Sequence, residues 1–213
     1  MDQLTKWLDE NKFVVQIRSS SAEDAESMLN AAAEGGLSLF QISMVNPQAI
    51  KLIESTAKRD GIIVGAGNVT DGEMAQRAIN AGAKFVASPY TDSELIRVAK
   101  NNDCFVIQGA FTATEVAEAF KLGADLVTLW PVAFAGGVDY VKLLRNNLPF
   151  VRLIAQGGVT FENAFEYLKH CTAVSLRSAL FERGLIRSDN WAEITARAKQ
   201  FAQRLDGLKV SKS

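Results

Sequence analysis

A chain of 213 residues is long enough to bury one substantial core and lies near the short end for an eight-stranded α/β barrel. With 48% hydrophobic and 22% charged residues, a formal net charge of -1 and no Lys/Arg run, it lacks the broad positive field that nucleic acids or anionic membranes favour. The opening MDQLTKWLDENK carries acidic residues where a secretory leader has an apolar core, and no stretch reaches the roughly 18 apolar residues of a membrane span, so neither a nucleic-acid partner nor a membrane is expected.

In chain order, short apolar runs predict strands and longer amphipathic stretches predict helices. Phe13–Ile17 precedes a helical stretch over Ala22–Ala33, Leu37–Ile42 precedes Gln48–Ala57, and Ile62–Val64 precedes Asp71–Ala81. Phe85–Ala87 with Ser93–Lys100, Phe105–Ile107 with Ala113–Leu122, and Leu126–Leu129 with Gly137–Arg145 continue the series. Val151–Ala155, the apolar-periodic run Phe161–Leu168, Ala173–Leu176 and a helix over Asp189–Leu205 complete it. Several runs lack polar alternation, as parallel strands covered on both faces should.

Ser21, Asp71, Asp92 and Thr112 stand where side-chain oxygens would cap helix starts. Ala81-Gly82-Ala83-Lys84-Phe85-Val86 and Leu122-Gly123-Ala124-Asp125-Leu126-Val127 read as two copies of one turn, with glycine supplying left-handed backbone. Eight strand-helix units predict a closed (β/α)8 TIM barrel of the α/β class, because closure removes unpaired edges. An open doubly wound sheet is the alternative, although no GxGxxG phrase follows the first strand. Without an internal linker, residues 1–208 read as one barrel and 209–213 as a loose tail.

Function in such a barrel sits where strands end. Those ends carry Arg18, Gln41 with Ser43, Asn68, Ser88, Gln108, Thr128, Gln156, and Arg177 with Ser178. The set holds no carboxylate, histidine, cysteine or lysine, so it offers no group that changes protonation readily near neutral pH and no metal ligands. Two guanidinium groups among amides and hydroxyls suit an anion, unless Arg18 and Arg177 instead pair with loop acids such as Asp92 or Glu162. Gly157 and Gly158, with a helix beginning near Thr160, would cradle a phosphate, and Ser178 would add a hydroxyl; a tight turn is the plainer role for the glycine pair. Cys104 and Cys171 read as buried thiols in a reducing cytoplasm, and His170 as a residue at a helix C-terminus. No metal and no cofactor are expected.

Several of these phrases resemble the 2-keto-3-deoxy-6-phosphogluconate and 4-hydroxy-2-oxoglutarate aldolase family. Val14-Val15-Gln16-Ile17-Arg18 is similar to its first strand, and Ile63-Val64-Gly65-Ala66-Gly67-Asn68-Val69 to its Val-Gly-Ala-Gly-Thr-Val phrase. Ala87-Ser88-Pro89, Leu129-Trp130-Pro131 with Ala135-Gly136-Gly137-Val138, and Gln156-Gly157-Gly158-Val159 continue the resemblance in order to about Leu205. It implies a class I aldolase of the TIM barrel type, commonly a homotrimer, cleaving phosphorylated or carboxylated 2-keto acids through a lysine Schiff base.

The family's lysine phrase, Phe-Lys-Phe-Phe-Pro, here reads Val127-Thr128-Leu129-Trp130-Pro131, so Thr128 occupies the lysine position, and Pro131 keeps its place in the substrate-binding set. Gln41 replaces the proton-shuttling glutamate and Val45 the arginine that holds the substrate carboxylate. A hydroxyl cannot form an imine with a keto acid, so Schiff-base chemistry is expected to be lost. The phosphate half of the pattern keeps Gly157, Gly158 and Ser178 but is altered, because Leu176-Arg177 replaces the two glycines of the family's Gly-Gly-Ser phrase; Arg177 either strengthens anion binding or fills the site and closes it. A small anionic ligand and a homo-oligomer, by resemblance a trimer, are the expected partners. A repurposed binding barrel is the alternative to a lyase.

Overall fold

Eight parallel strands pair in sequence order and the last pairs with the first, so the sheet is a closed barrel and the open-sheet alternative falls. This computed structural model describes residues 3–210, with side chains as far as Leu208. The elements are α1 (Gln3–Asn11), β1 (Phe13–Ile17), α2 (Ala22–Glu34), β2 (Leu39–Ser43), α3 (Ala49–Thr56), β3 (Ile63–Gly67), α4 (Gly72–Asn80), β4 (Phe85–Ala87) and α5 (Ser93–Asn101). They continue with β5 (Phe105–Ala110), α6 (Ala113–Lys121), β6 (Leu126–Leu129), α7 (Gly137–Asn147), β7 (Leu153–Ala155), α8 (Ala164–Tyr167), β8 (Ala173–Leu176), α9 (Arg183–Arg187) and α10 (Trp191–Val210).

The local signals act as capping chemistry predicts. The side chains of Ser21, Asp71, Asp92 and Thr112 accept from the N–H groups of Asp24, Met74, Leu95 and Glu115, so each occupies an otherwise free donor in a first helical turn. Thr112 and Glu115 complete a reciprocal capping box. The backbone N–H groups of Thr112 and Phe111 donate to the Glu115 carboxylate and hold it below its usual range. Gly82 and Gly123 lie at φ of 99° and 101°, which a side chain would oppose, and each turns the chain toward the next strand.

The boundaries differ where glycine or a medium-range contact decides. β3 runs on through Gly65 and Gly67, and β5 through Gly109, beyond the apolar runs that predicted them. A barrel interior needs such small positions: a Cβ on Gly65 would overlap the Phe85 ring, and one on Gly67 the Gln41 side chain. β2 begins at Leu39 and β7 at Leu153, two residues later than predicted. α1 and the short α9 are additional elements, and α10 runs from Trp191 through Val210. The predicted tail thus begins inside a helix, and residues 211–213 lie outside the described residues.

Two apolar layers result. Between sheet and helices, Phe13 on β1 packs edge-on against Phe165 and Phe201, binding α8 and α10 to the barrel, with the Arg204 guanidinium 4.2 Å from the Phe165 ring centre. Inside the barrel, Val14, Leu39, Phe85, Phe105, Ile107, Leu126, Ile154 and Ala173 pack with Leu4 and Leu8 of α1. α1 therefore closes the end where the strands begin, a position supported by the 2.9 Å ion pair from Asp9 to Arg152 just before β7. Leu8 is 1% exposed, so this small helix is part of the core and not an appendage.

Cys104 and Cys171 are buried and free, and burial pushes both thiols up to about 12. Thiolate is the reactive form, so a raised value leaves both inert over the ordinary pH range. A chromogenic disulfide reagent at pH 8 should find no fast-reacting thiol in the native chain and two after denaturation. A stoichiometric fast phase in the native chain would contradict their burial. His170 lies in the turn after α8, its N–H donating to the Tyr167 carbonyl.

Candidate functional site

With α1 closing one end, the open end of the barrel is the mouth formed by the C-terminal ends of the strands. A cavity of about 300 Å3 opens there, at the small end of the range for ligand sites. Arg18, Gln41, Asn68, Ser88, Thr128, Gln156, Gly157, Gly158, Arg177 and Ser178 all line it. Three other predicted positions do not. Gln108 is fully buried, its Oε1 accepting the Asp92 N–H at 2.7 Å, so it braces the start of α5. Ser43 is buried beneath Asn68 and donates to its Oδ1 at 2.8 Å. Pro131 borders an adjoining groove and backs the cavity wall behind Gly157.

The reason is strand alternation: every second side chain faces inward. Gln108 follows the inward-facing Ile107 and so points out toward the helices, whereas Gln41, Thr128 and Gln156 have inward parity. The same rule, counted back two residues from Arg18 and Arg177, finds Gln16 and Ser175, lining residues that a reading of strand ends alone overlooks. Gln16 donates from Nε2 to Oε1 of Gln156 at 2.6 Å, and this amide pair lies within the cavity lining. Trp130, 46% exposed, supplies an aromatic wall.

Charge in the mouth is one-sided. Arg18 and Arg177 are its only ionised lining residues, and neither guanidinium makes an ion pair or hydrogen bond among the described residues. The pairing with Asp92 or Glu162 does not form: Asp92 caps α5, and Glu162 is engaged by Thr160 and its own backbone. Partial burial, then the neighbouring Arg18 and Arg183, lower the affinity of the Arg177 guanidinium for its proton. Two guanidinium groups that line one cavity without an ion-pair partner form a site that an anion would relieve.

The backbone contributes beside them. Gly157 and Gly158 have φ of 85° and 86°, and among the described residues their N–H groups donate to nothing. A Cβ on Gly158 would overlap Ala133, so this turn packs too closely for a side chain. The helix predicted near Thr160 is reduced to a capped turn, with the Ala164 N–H bonded to the Thr160 carbonyl. The Asn163 side chain accepts the Thr160 N–H and donates to the Gly158 carbonyl, holding residues 160–163 as turns, and α8 is a single turn from Ala164. An anion cradle here rests mainly on the glycine turn and the arginines, because α8 is too short to supply a strong helix dipole.

No lysine lines this cavity. Thr128 is buried, its strand paired with Gly109 on one side and Ile154 on the other. Lys84 precedes β4 at the far end of the barrel, and Lys142 lies in α7. Among the described residues no group of three or more His, Cys, Asp or Glu could hold a metal ion, and no helix is long and apolar enough to cross a membrane.

Known proteins resemble this chain along most of its length. The model of the KDPG and KHG aldolase family matches residues 4–197. The 2-dehydro-3-deoxy-phosphogluconate aldolase of Haemophilus influenzae is 28% identical over 196 residues, covering 90% of this chain and 92% of its own. A KDPG aldolase from Legionella pneumophila, solved with pyruvate captured as a covalent carbinolamine, superposes with a TM-score of 0.82 at 25% identity, over 94% of this chain and 98% of that one. The Zymomonas mobilis ZM4 enzyme, solved with 3-phosphoglycerate, gives 0.81 at 26% identity, over 92% and 94%.

Proposed function

This chain belongs to the KDPG and KHG aldolase family, and we propose on that basis that it binds a phosphorylated or carboxylated small molecule at the barrel mouth without turnover through a lysine Schiff base. The observation that carries the reading is the lining itself: Arg18, Arg177, amides, hydroxyls and glycine N–H groups, with no lysine and no carboxylate. Thr128 offers a hydroxyl that forms no imine, and Gln41 an amide that shuttles no proton at neutral pH. In the Legionella relative, pyruvate is held covalently as a carbinolamine, and this chain lacks a lining lysine for that step. The anion half, by contrast, keeps the glycine pair and Ser178 and carries Arg177 where the family phrase has glycine.

Borohydride treatment in the presence of pyruvate, read by intact mass, should leave this chain unmodified. A stable pyruvyl adduct on any lysine would overturn the loss of Schiff-base chemistry. Inorganic phosphate should raise the melting temperature, and Arg177→Ala should remove that shift. The guanidinium is solvent-accessible and has no hydrogen-bond or ion-pair partner among the described residues, so its removal tests binding rather than folding.

The reading extends to assembly and compartment. A homo-oligomer, by family resemblance a trimer, accounts for the apolar side chains left in solvent beside the mouth, among them Phe134 at 86% exposure with Tyr90 and Phe111. Light scattering should give three times the chain mass; a monomer at micromolar concentration would sink that assembly. Two buried free thiols suit a reducing cytoplasm. The chain is read as one barrel over residues 1–208.

A further inference from the structure

We propose that the ligand of this mouth is a small phosphate monoester whose remaining body is uncharged, in place of a phosphorylated keto acid. The proposal rests on the anion-binding reading above and concerns the other end of the ligand.

The charge distribution carries it. Arg18 and Arg177 extend from the neighbouring strands β1 and β8, which are paired at Val15 and Leu176, and the glycine turn after β7 lies beside them. All the cationic lining is therefore on one side. The wall away from them is built by Asn68, Ser88 and Thr128, from β3, β4 and β6 or the loops that follow them, with Gln41 on β2 between, and every one is neutral. Val45, the position at which the family resemblance expects a carboxylate-holding arginine, is 51% exposed and outside the cavity lining.

A phosphate at the arginine side would satisfy both cations, and a carboxylate at the far wall would then lose water without gaining an opposite charge. Hydroxyl, carbonyl or amide groups suit that wall better, because Gln and Asn side chains donate and accept, as do Ser and Thr hydroxyls. The Trp130 ring adds an apolar face for a short carbon skeleton.

A matched pair of probes decides it. Glycerol 3-phosphate and 3-phosphoglycerate share a phosphate and a hydroxyl-bearing carbon, and differ in a neutral or ionised terminus. Calorimetric titration of the full chain should show glycerol 3-phosphate binding tighter than inorganic phosphate and at least as tightly as 3-phosphoglycerate, and Arg177→Ala should lose all three. A cation waiting for the carboxylate would make the acid the tighter ligand by tenfold or more, about 1.4 kcal/mol. Tighter binding of 3-phosphoglycerate, or glycerol 3-phosphate no tighter than phosphate, overturns this inference and leaves the anion site standing. Binding by none of the three, or binding unchanged in Arg177→Ala, overturns the anion site itself.

Discussion

Thr128→Lys together with Gln41→Glu should yield a borohydride-trapped pyruvyl adduct approaching one per chain, where the unaltered protein yields none. Thr128 is 8% exposed and lines the cavity with Gln16, Gln41 and Gln156, so a lysine placed there would emerge among groups that can hydrogen-bond its amine. Burial disfavours the ammonium form, and the two unpaired guanidinium groups of the mouth oppose it further. Both effects raise the fraction of neutral amine, the nucleophile for a keto carbonyl. A glutamate at position 41 would lie in the same cavity and supply the proton carrier that an amide is not. The lysine alone should give the adduct, and the glutamate should add turnover. A folded Thr128→Lys chain, verified by its thermal transition, that gave no adduct would show that more than this side chain separates the barrel from Schiff-base chemistry.

Phe85→Ala should be the most damaging single truncation, at about 3–5 kcal/mol, the usual cost of emptying a buried phenyl site. Phe85 is 1% exposed and fills the barrel interior together with Phe105 and Leu126. Its ring lies where a Cβ on Gly65 of the neighbouring strand would be, so the two positions divide one volume between them. For a chain of this size each kcal/mol moves the melting temperature by about 2–4 °C. Gly65→Ala alone should cost about 1–3 kcal/mol through overpacking. In the Phe85→Ala background the same methyl enters vacated space and should cost little, so the two changes couple strongly. Additive effects in denaturant melts would refute this shared packing.

Some of the mouth is legible from residues alone. Arg18, Thr128, Gln156 and Arg177 stand at the ends of apolar runs and the Gly157-Gly158 pair follows one, and all of them line the cavity. Gln108 met the same criterion yet points outward, while Gln16 and Ser175, one step short of the ends, point in. Which parity faces inward follows from strand register in the closed sheet, and register is a contact between segments far apart in the chain. Near Thr160 the predicted start survives as a reciprocal Thr160–Asn163 cap and the Ala164 N–H bond to the Thr160 carbonyl, but regular helix covers only Ala164–Tyr167.

By itself the sequence determined what depends on neighbours within a few residues: the alternation of strand and helix, the four capped helix starts, the glycine turns, and a threonine near the end of the sixth strand. Tertiary structure alone decided which residues share a cavity, that α1 closes the barrel floor, and that Phe85 occupies the space above Gly65. It also decided that Arg18 and Arg177 meet no carboxylate. Whether a cation is paired depends on groups that chain closure brings near, and here closure brings two arginines together and leaves the acids as caps on the helices outside.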